Sequence, residues 1–256
     1  MPKYDTPITS YDDDFPTLKP EALYGLAGDV VRAIAPHSES DPVALLLTLL
    51  TAYGASVKTP YYEVEGTKHH CNLFASIVGQ SSRSRKGTSW AQVKAFLEGA
   101  NLARKANGLS SGEGLIESVK DGTMEQKPDG TFKMIGGIQD KRVLVVESEF
   151  ARVLRVMARE SNVLSAVIRD AWDGETLSIM TRNNPTTATG AHIAIVSHIT
   201  RAELSKTLKD SDVHNGFGNR FLWAIVKRSK SLPDGGKVDG LIAHELKQRL
   251  SNSFGF

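Results

Sequence analysis

Residues 78–90 read Val-Gly-Gln-Ser-Ser-Arg-Ser-Arg-Lys-Gly-Thr-Ser-Trp and join an apolar run to a segment with helical spacing. The apolar run, residues 72–79, is typical of a buried strand and ends in Gly79. Glycine lets a phosphate approach the backbone closely, and the N-terminus of a helix supplies N–H donors and partial positive charge. The segment therefore predicts a phosphate-binding loop between a buried strand and a helix.

The spacing within this loop departs from the standard P-loop. The standard pattern has lysine six residues after the first glycine and Ser or Thr directly after the lysine. Here Lys86 follows Gly79 by seven residues, and Gly87 separates it from the hydroxyls of Thr88 and Ser89. One interpretation is an ATP site in which the lysine reaches the phosphates and Thr88, as first choice, holds Mg²⁺. The alternative is a basic strand-to-helix loop in which Thr88 or Ser89 caps the helix. The predicted contacts to ATP are Gly79, Ser84, Arg85, Lys86, Gly87, Thr88 and Ser89.

Outside the loop, apolar runs alternate with segments of helical periodicity. Strands are predicted at residues 61–65, 72–79, 142–147, 192–197 and 221–226. Helices are predicted at residues 20–34, 42–53, 90–106 and 150–159. A turn signal, Pro128-Asp-Gly, indicates that residues 121–140 form a hairpin or a loop. This alternation favours an α/β fold with a mostly parallel sheet covered on both faces.

The size and charge of the chain restrict its class. A length of 256 residues suits one large domain, and 31 Lys+Arg against 29 Asp+Glu leave no global basic field for nucleic acid. A single cysteine excludes an intramolecular disulfide framework and a cysteine-based zinc cluster. The longest apolar run, residues 42–53, is too short to span a bilayer. We therefore expect a cytoplasmic protein that does not contact membranes.

Three glutamates are candidates for work on a nucleotide. Glu147 and Glu149 follow the apolar run 142–147, at the end of a strand where α/β sheets bind ligands. Glu113 is flanked by glycines. A carboxylate at such a position can bind Mg²⁺ or orient an attacking water. The alternatives are that one of the first two caps the following helix and that Glu113 lies in a plain turn.

Two further residues could sense or stabilise phosphate charge. His198 directly follows the apolar run 192–197 and could hydrogen-bond a γ-phosphate, although a histidine at a strand end is more often structural. Arg220 follows a Gly/Asn segment and could act as an arginine finger. The alternative for Arg220 is a surface ion pair with an acid.

Several short strings occur in a fixed order within residues 20–236, and together they resemble one family. That family comprises uncharacterised bacterial and phage-borne RecA-like P-loop ATPases, often associated with primase-polymerase domains in mobile elements. The strings are SESDP at 38–42, RKGTSW at 85–90, GLSSGEG at 108–114, DKR at 140–142, ESEF at 147–150, SHIT at 197–200 and NGFGNRFLW at 215–223.

The resemblance implies an ATP-hydrolysing, helicase-like motor for DNA replication of a phage or mobile element. It implies that Glu147 or Glu149 takes the Walker-B role toward Mg²⁺, that Glu113 resembles the catalytic glutamate, and that Arg220 acts on a neighbouring subunit. The expected partners are further copies of the chain in a ring or filament, DNA, and a primase-polymerase. The alternative is a catalytically weak nucleotide-binding module that regulates or scaffolds a replication complex. A weaker one is a nucleic-acid binder without nucleotide.

These features give an expected domain organisation. Residues 1–19 form a flexible arm, and residues 20–60 form a helical region packed on the core. Residues 61–240 form the RecA-like P-loop core, a mostly parallel sheet flanked by helices. Residues 241–256 form a C-terminal helix, which looks short beside the family.

Overall fold

A computed structural model describes residues 15–57, 61–80, 86–179 and 186–254. The strands are β1 (Tyr61–Val64), β2 (Thr67–His70), β3 (Phe74–Gly79), β4 (Arg104–Ala106), β5 (Thr123–Gln126), β6 (Phe132–Ile135), β7 (Arg142–Glu147), β8 (Leu177–Ile179), β9 (Thr186–Ala188), β10 (His192–Thr200) and β11 (Leu222–Val226). The α-helices are α1 (Gly25–Ile34), α2 (Pro42–Ser56), α3 (Lys86–Leu97), α4 (Gly112–Glu117), α5 (Phe150–Met157), α6 (Leu164–Asp173), α7 (Arg201–Thr207), α8 (Asp210–His214) and α9 (Gly240–Ser253).

Five strands form one parallel sheet in the order β11-β3-β10-β7-β4. Numbered along the chain from β3, the order is 5-1-4-3-2. The register pairs Gly79 of β3 with Thr200 of β10 and with Val226 of β11, and it pairs Glu147 of β7 with Ser197 of β10. The mixed α/β fold with a parallel sheet, as expected from the sequence, is confirmed.

Alternating side chains of the sheet enter two cores on its opposite faces. On what we call the α2 face, Leu144 and Val146 pack with side chains of α1, α2, α3 and α9. On what we call the α5 face, Val143 and Val145 pack with side chains of α4, α5 and α6. Burial on both faces explains the apolar runs inside these strands, such as residues 143–146 of β7 and 193–196 of β10.

The start of helix α2 is set by local sequence signals. Asp41 is the N-cap, and its side chain accepts a hydrogen bond from the backbone N–H of Val43 at 2.9 Å. Pro42 occupies the first helical position, where the missing N–H costs no intrahelical bond. The helix packs against the sheet, and the buried ring of His192 at the start of β10 bonds the carbonyl of Gly54 at 2.7 Å. These contacts fix the helical N-terminal region on the sheet.

One helix prediction is wrong in its second half. The helix predicted at 90–106 begins earlier, at Lys86, and ends at Leu97. Gly99 adopts a φ of 91°, which right-handed helices do not accommodate, and the chain then turns into β4. A hairpin or a loop was expected at residues 121–140. This segment contains the antiparallel hairpin β5–β6. None of the helices in the described residues is both long enough and apolar enough to cross a membrane.

Candidate functional site

The sheet has a topological switch point between β3 and β10. The chain leaves β3 along the α2 face, through α3, and leaves β10 along the α5 face, through α7. Where two such connections diverge, α/β sheets form a crevice at the carboxyl ends of the two neighbouring strands. Open α/β sheets bind ligands in such a crevice. Gly79 and Thr200 end the two strands and are paired in register.

The N-terminus of α3 lies directly after this crevice in the chain. The helix has 12 residues, and its first turn contains no acidic side chain. A Cβ added at Gly87 would meet no atom of the described residues within 4 Å, and Thr88 in the same turn is half-buried. The predicted contacts Ser84 and Arg85, and the side chain of Lys86, lie outside the described residues. The described part therefore provides a helix N-terminus suited to an anion, at the place where the phosphate loop was predicted.

Ser89 has a different environment from Thr88. It is fully buried, and its Oγ accepts a hydrogen bond from Oγ1 of Thr48 in α2 at 3.4 Å. Ser89 thus contributes to the packing of α3 on α2. Of the two hydroxyls considered for Mg²⁺, only Thr88 is partly accessible.

His198 lies beside the crevice on the α2 face. Ala194 and Val196 of β10 pack in the α2-face core, so side-chain alternation places His198 on that face too. It is 3% exposed, and its register partner in β3 is Ile77. His198 therefore sits under the helix layer that includes α3, two residues before the end of its strand.

Glu147 is the most tightly held of the three candidate carboxylates. The residue is 3% exposed, and its Oε1 accepts a hydrogen bond from the backbone N–H of Leu109 at 2.7 Å. Its Oε2 lies 3.4 Å from Nη2 of Arg152 in α5. Leu109 belongs to the loop between β4 and α4, so the Glu147 carboxylate connects that loop to the end of β7.

Glu149 and Glu113 are both exposed but lie at different distances from β3. Glu149 is the N-cap of α5, and its side chain makes no capping hydrogen bond, so the expected capping role does not apply to it. Glu113 lies in the first turn of α4, which Ser111 caps. At about 4.8 Å per strand, β7 is about 10 Å from β3 across the sheet and β4 is about 14 Å away. The strand before Glu149 is therefore closer to β3 than the strand before Glu113.

Arg220 lies at the opposite end of the sheet. It precedes β11 and so marks the amino edge, whereas the crevice is at the carboxyl edge. Its Nη2 donates to Oδ2 of Asp173 at 2.5 Å, and its Nη1 donates to the carbonyl of Gly216 at 3.0 Å. Five residues of strand span about 16 Å. Arg220 and the crevice of the same chain are therefore well separated.

Sequence reasoning missed a buried polar row on the α5 face. Ser76 of β3, Ser197 of β10 and Glu147 of β7 are partners in register across three adjacent strands. All three are at most 3% exposed, and the Oγ of Ser76 has no hydrogen-bond partner among the described residues. The available signal was a serine inside each of two apolar runs. Only the strand order and register reveal that the two serines meet.

No protein-family model matches the chain, and a search of curated proteins found no significantly similar sequence. Support for a function therefore comes from the geometry of this crevice and from the sequence patterns around it.

Proposed function

We propose that the chain is a RecA-like P-loop ATPase that binds the phosphates of ATP in the crevice between β3 and β10. The observation that carries this proposal is the position of α3: its acid-free N-terminus follows an interior strand at the switch point of a parallel sheet. A helix N-terminus favours a negative charge by about 0.3–1 kcal/mol at an exposed position. The sequence at the start of α3 adds Arg83, Arg85 and Lys86 within four residues.

The residues at the crevice fit a magnesium nucleotide in part. The Thr88 hydroxyl is the side chain suited to Mg²⁺, which when bound would neutralise phosphate charge. Glu147 fits less well, because Leu109 and Arg152 already engage its two oxygens. A carboxylate has about four acceptor positions. Glu147 could therefore contact a metal-bound water only if one of its oxygens accepted a second hydrogen bond. We assign Glu147 mainly to holding the β4–α4 loop.

The proposed reaction is attack of a water on the γ-phosphate. Lys86 neutralises charge that develops on the phosphoryl group, and Glu149 orients the water. Glu149 suits this role because it is exposed, is not used as a helix cap, and follows a strand two positions from β3. Glu113 follows β4, which lies one strand farther from β3.

Arg220 is proposed to act on a nucleotide bound by a neighbouring copy in a homo-oligomeric ring or filament. Its separation from the crevice of its own chain supports action across an interface. In that case Asp173 holds the guanidinium until a neighbour is in place. Arg220→Ala and Asp173→Asn both remove the ion pair, so a purely structural role predicts equal effects. The proposed role predicts that only Arg220→Ala abolishes ATP turnover at concentrations where the protein assembles.

The motor activity on DNA rests on the resemblance of residues 20–236 to the mobile-element ATPases. Helicase-like work in DNA replication, with a primase-polymerase as partner, follows from that resemblance. Stimulation of ATP turnover by single-stranded DNA is the measurement that tests it. Equal turnover with and without DNA would remove the motor assignment and leave the nucleotide site.

A catalytically weak nucleotide-binding module is the second candidate. Two contacts favour it: the Glu147 carboxylate is occupied within the chain, and Arg220 is paired with Asp173. Such a module would serve as a regulatory or scaffold subunit. It would bind ATP tightly without measurable hydrolysis, either alone or with DNA.

ATP binding is tested by thermal unfolding with and without Mg-ATP. A ligand at 100 times its Kd stabilises the native state by about 2.7 kcal/mol. We expect Lys86→Ala to lose most of the resulting rise in melting temperature. The matched control is Lys94→Ala, an exposed lysine two turns along the same helix, which should keep the full rise. Equal rises in the two variants would exclude the proposed phosphate contact.

Catalysis is tested separately from binding. Glu149→Gln should reduce ATP turnover by about 100-fold or more, the usual contribution of a positioned general base, while ATP still raises the melting temperature. Glu113→Gln is the comparison for the alternative carboxylate. Glu160→Gln, an exposed glutamate in the turn after α5, is the control that should change neither quantity. If Glu113→Gln alone abolishes turnover, the assignment passes to α4.

A further inference from the structure

An antiparallel hairpin lies at the amino edge of the parallel sheet, the edge opposite to the crevice. It is formed by β1 and β2, and residues 71–73 connect it directly to the start of β3. All residues of β1 are exposed, and in β2 only His70 is partly buried. Packing in a core therefore does not explain why this hairpin contains aromatic side chains.

Two tyrosines of the hairpin contact histidines of the opposite strand. Tyr62 is 63% exposed, and its ring stacks on that of His69 with 4.8 Å between the centroids and 18° between the planes. Tyr61 is 50% exposed, and its ring is tilted against that of His70 at 5.6 Å. The Nζ of Lys68 lies 4.6 Å from the centroid of the Tyr61 ring. Because side chains alternate along a strand, the two ring pairs lie on opposite faces of the hairpin.

A cleft of about 790 Å³ lies between this hairpin and the end of α6. We call it the amino-edge cleft, and its lining includes Tyr62, Lys68, His69, Trp172, Asp173 and Glu175. The Nδ2 of Asn72 donates to the carbonyl of Ala171 in α6 at 2.9 Å. The ring of His70 lies against Gly174, where an added Cβ would be 2.6 Å from two ring atoms. These contacts fix the hairpin relative to α6, so the cleft is bounded by fixed elements.

The charges that the structure describes around the cleft favour an uncharged group over a phosphate. The acids are Glu63, Glu65, Asp173 and Glu175. Lys68 is the register partner of Glu63. Arg220 forms an ion pair with Asp173. Acids thus outnumber bases, whereas the exposed rings offer flat surfaces for a planar group.

We propose that the amino-edge cleft and the two tyrosines bind the bases of single-stranded DNA by stacking. Nucleobases are planar and uncharged, and every base can stack on an aromatic side chain. The ring of Tyr62 is already half of a stacked pair, and its exposure lets a base continue that stack. The proposal rests on the proposed function, because a motor on DNA requires a site for the strand. β3 would connect the two sites, since it runs from Leu73 at the cleft to Gly79 at the crevice.

The test is binding of a fluorescent oligothymidylate of about 12 nucleotides to the full chain, followed by anisotropy without ATP and with Mg-ATP. Tyr62→Ala should weaken binding by about 5- to 100-fold, the usual effect of removing one base–aromatic contact. Tyr62→Phe keeps the ring and should bind like the wild type. Tyr24→Ala is the matched control, because it removes an 87% exposed tyrosine at the start of α1 and should leave binding unchanged.

Two further measurements separate base stacking from phosphate attraction. A strand of the same length built from abasic nucleotides keeps the phosphates and lacks the bases. The wild type should bind it more weakly than oligothymidylate, and Tyr62→Ala should reduce that difference. A rise in salt from about 50 to about 200 mM should weaken binding by only about threefold, because Lys68 supplies about one phosphate contact.

Three outcomes would overturn the proposal. The first is equal affinity of Tyr62→Ala and the wild type, or no binding by the wild type with and without ATP. The second is binding that falls steeply with salt and is equal for the abasic strand, which would assign the DNA to basic residues elsewhere. The third is a lower oligomeric mass of Tyr62→Ala in light scattering with unchanged DNA affinity, which would assign the surface to a second copy.

Failure of the nucleotide site gives a different result. Tyr62→Ala should keep the full ATP-induced rise in melting temperature, and Lys86→Ala should keep the binding of oligothymidylate without ATP. If the wild type binds DNA through Tyr62 but shows no ATP-induced rise, the DNA site is supported and the ATPase assignment is removed.

Discussion

Replacement of Glu147 by alanine tests what the buried carboxylate at the end of β7 does. In the wild type, its Oε1 is the acceptor for the backbone N–H of Leu109 at 2.7 Å. Leu109 is 7% exposed, so water cannot readily replace the lost acceptor. The second oxygen faces Arg152, whose side chain is 43% exposed. The substitution therefore leaves one buried N–H unsatisfied and frees one solvated arginine.

The two losses have different magnitudes. An unsatisfied buried N–H costs about 1–3 kcal/mol. The contact to Arg152 is long and half-solvated, so it adds at most about 1 kcal/mol. We expect a loss of about 2 kcal/mol in the free energy of unfolding. For a chain of this length, that loss corresponds to a fall in melting temperature of about 4–8 °C.

Glu147→Gln separates the anchoring role from a role in binding Mg²⁺. The amide oxygen can still accept from Leu109, so this variant should lose less than about 1 kcal/mol. Urea denaturation and thermal unfolding measure both variants, and the Mg²⁺ dependence of ATP-induced stabilisation is measured in parallel. Glu149→Ala, at an exposed position, should stay within about 0.5 kcal/mol of the wild type.

The reasoning fails if Glu147→Ala unfolds at the same temperature as the wild type, because the bond to Leu109 would then carry no stability. It also fails if Glu147→Gln is stable but loses the Mg²⁺ dependence of ATP binding. That result would return Glu147 to the metal role that its sequence position first indicated.

Two further predictions concern the contact of α2 with the amino edge of the sheet. A Cβ at Gly54 would lie 2.1 Å from the carbonyl oxygen of Cys71, so Gly54→Ala should destabilise the protein by about 1–3 kcal/mol in urea denaturation. Gly240→Ala is the control and should leave the stability unchanged, because no atom of the described residues lies within 4 Å of the added Cβ. Burial lowers the pKa of His192 below its usual value. As the pH falls below about 6.5, the unfolded state therefore takes up a proton that the folded state does not yet bind. The free energy of unfolding should therefore fall from pH 6.5 to 5.5, and His192→Gln should reduce that fall.

The central strands could be predicted because each is buried on both faces. An apolar run such as 142–147 has few alternatives in a chain whose other segments show helical spacing. The start of α2 was also predictable, since Asp41 and Pro42 are local signals for a cap and a first turn. In both cases the residues that decide the structure are neighbours in sequence.

Strand β4 shows where this reasoning ends. Residues 104–106, Arg-Lys-Ala, contain no apolar run, and the preceding residues continue a helical pattern. They form a strand because β7 offers a free edge, with Arg104 opposite Val143 and Ala106 opposite Val145. A partner 39 residues away in the chain supplies the hydrogen bonds, so no local window contains the cause.

The same limit applies to the three candidate carboxylates near the crevice. Spacing along the chain favoured Glu113 as much as Glu149, because each follows a predicted strand or turn. The strand order separates them: the strand before Glu149 lies two positions from β3, and the strand before Glu113 lies three positions away, at the sheet edge. Glu147 is closest in sequence to an expected metal ligand, yet its oxygens hold a neighbouring loop. Glu149 follows a strand two positions from β3 and makes no capping hydrogen bond, and for these reasons we propose it as the carboxylate that orients the water.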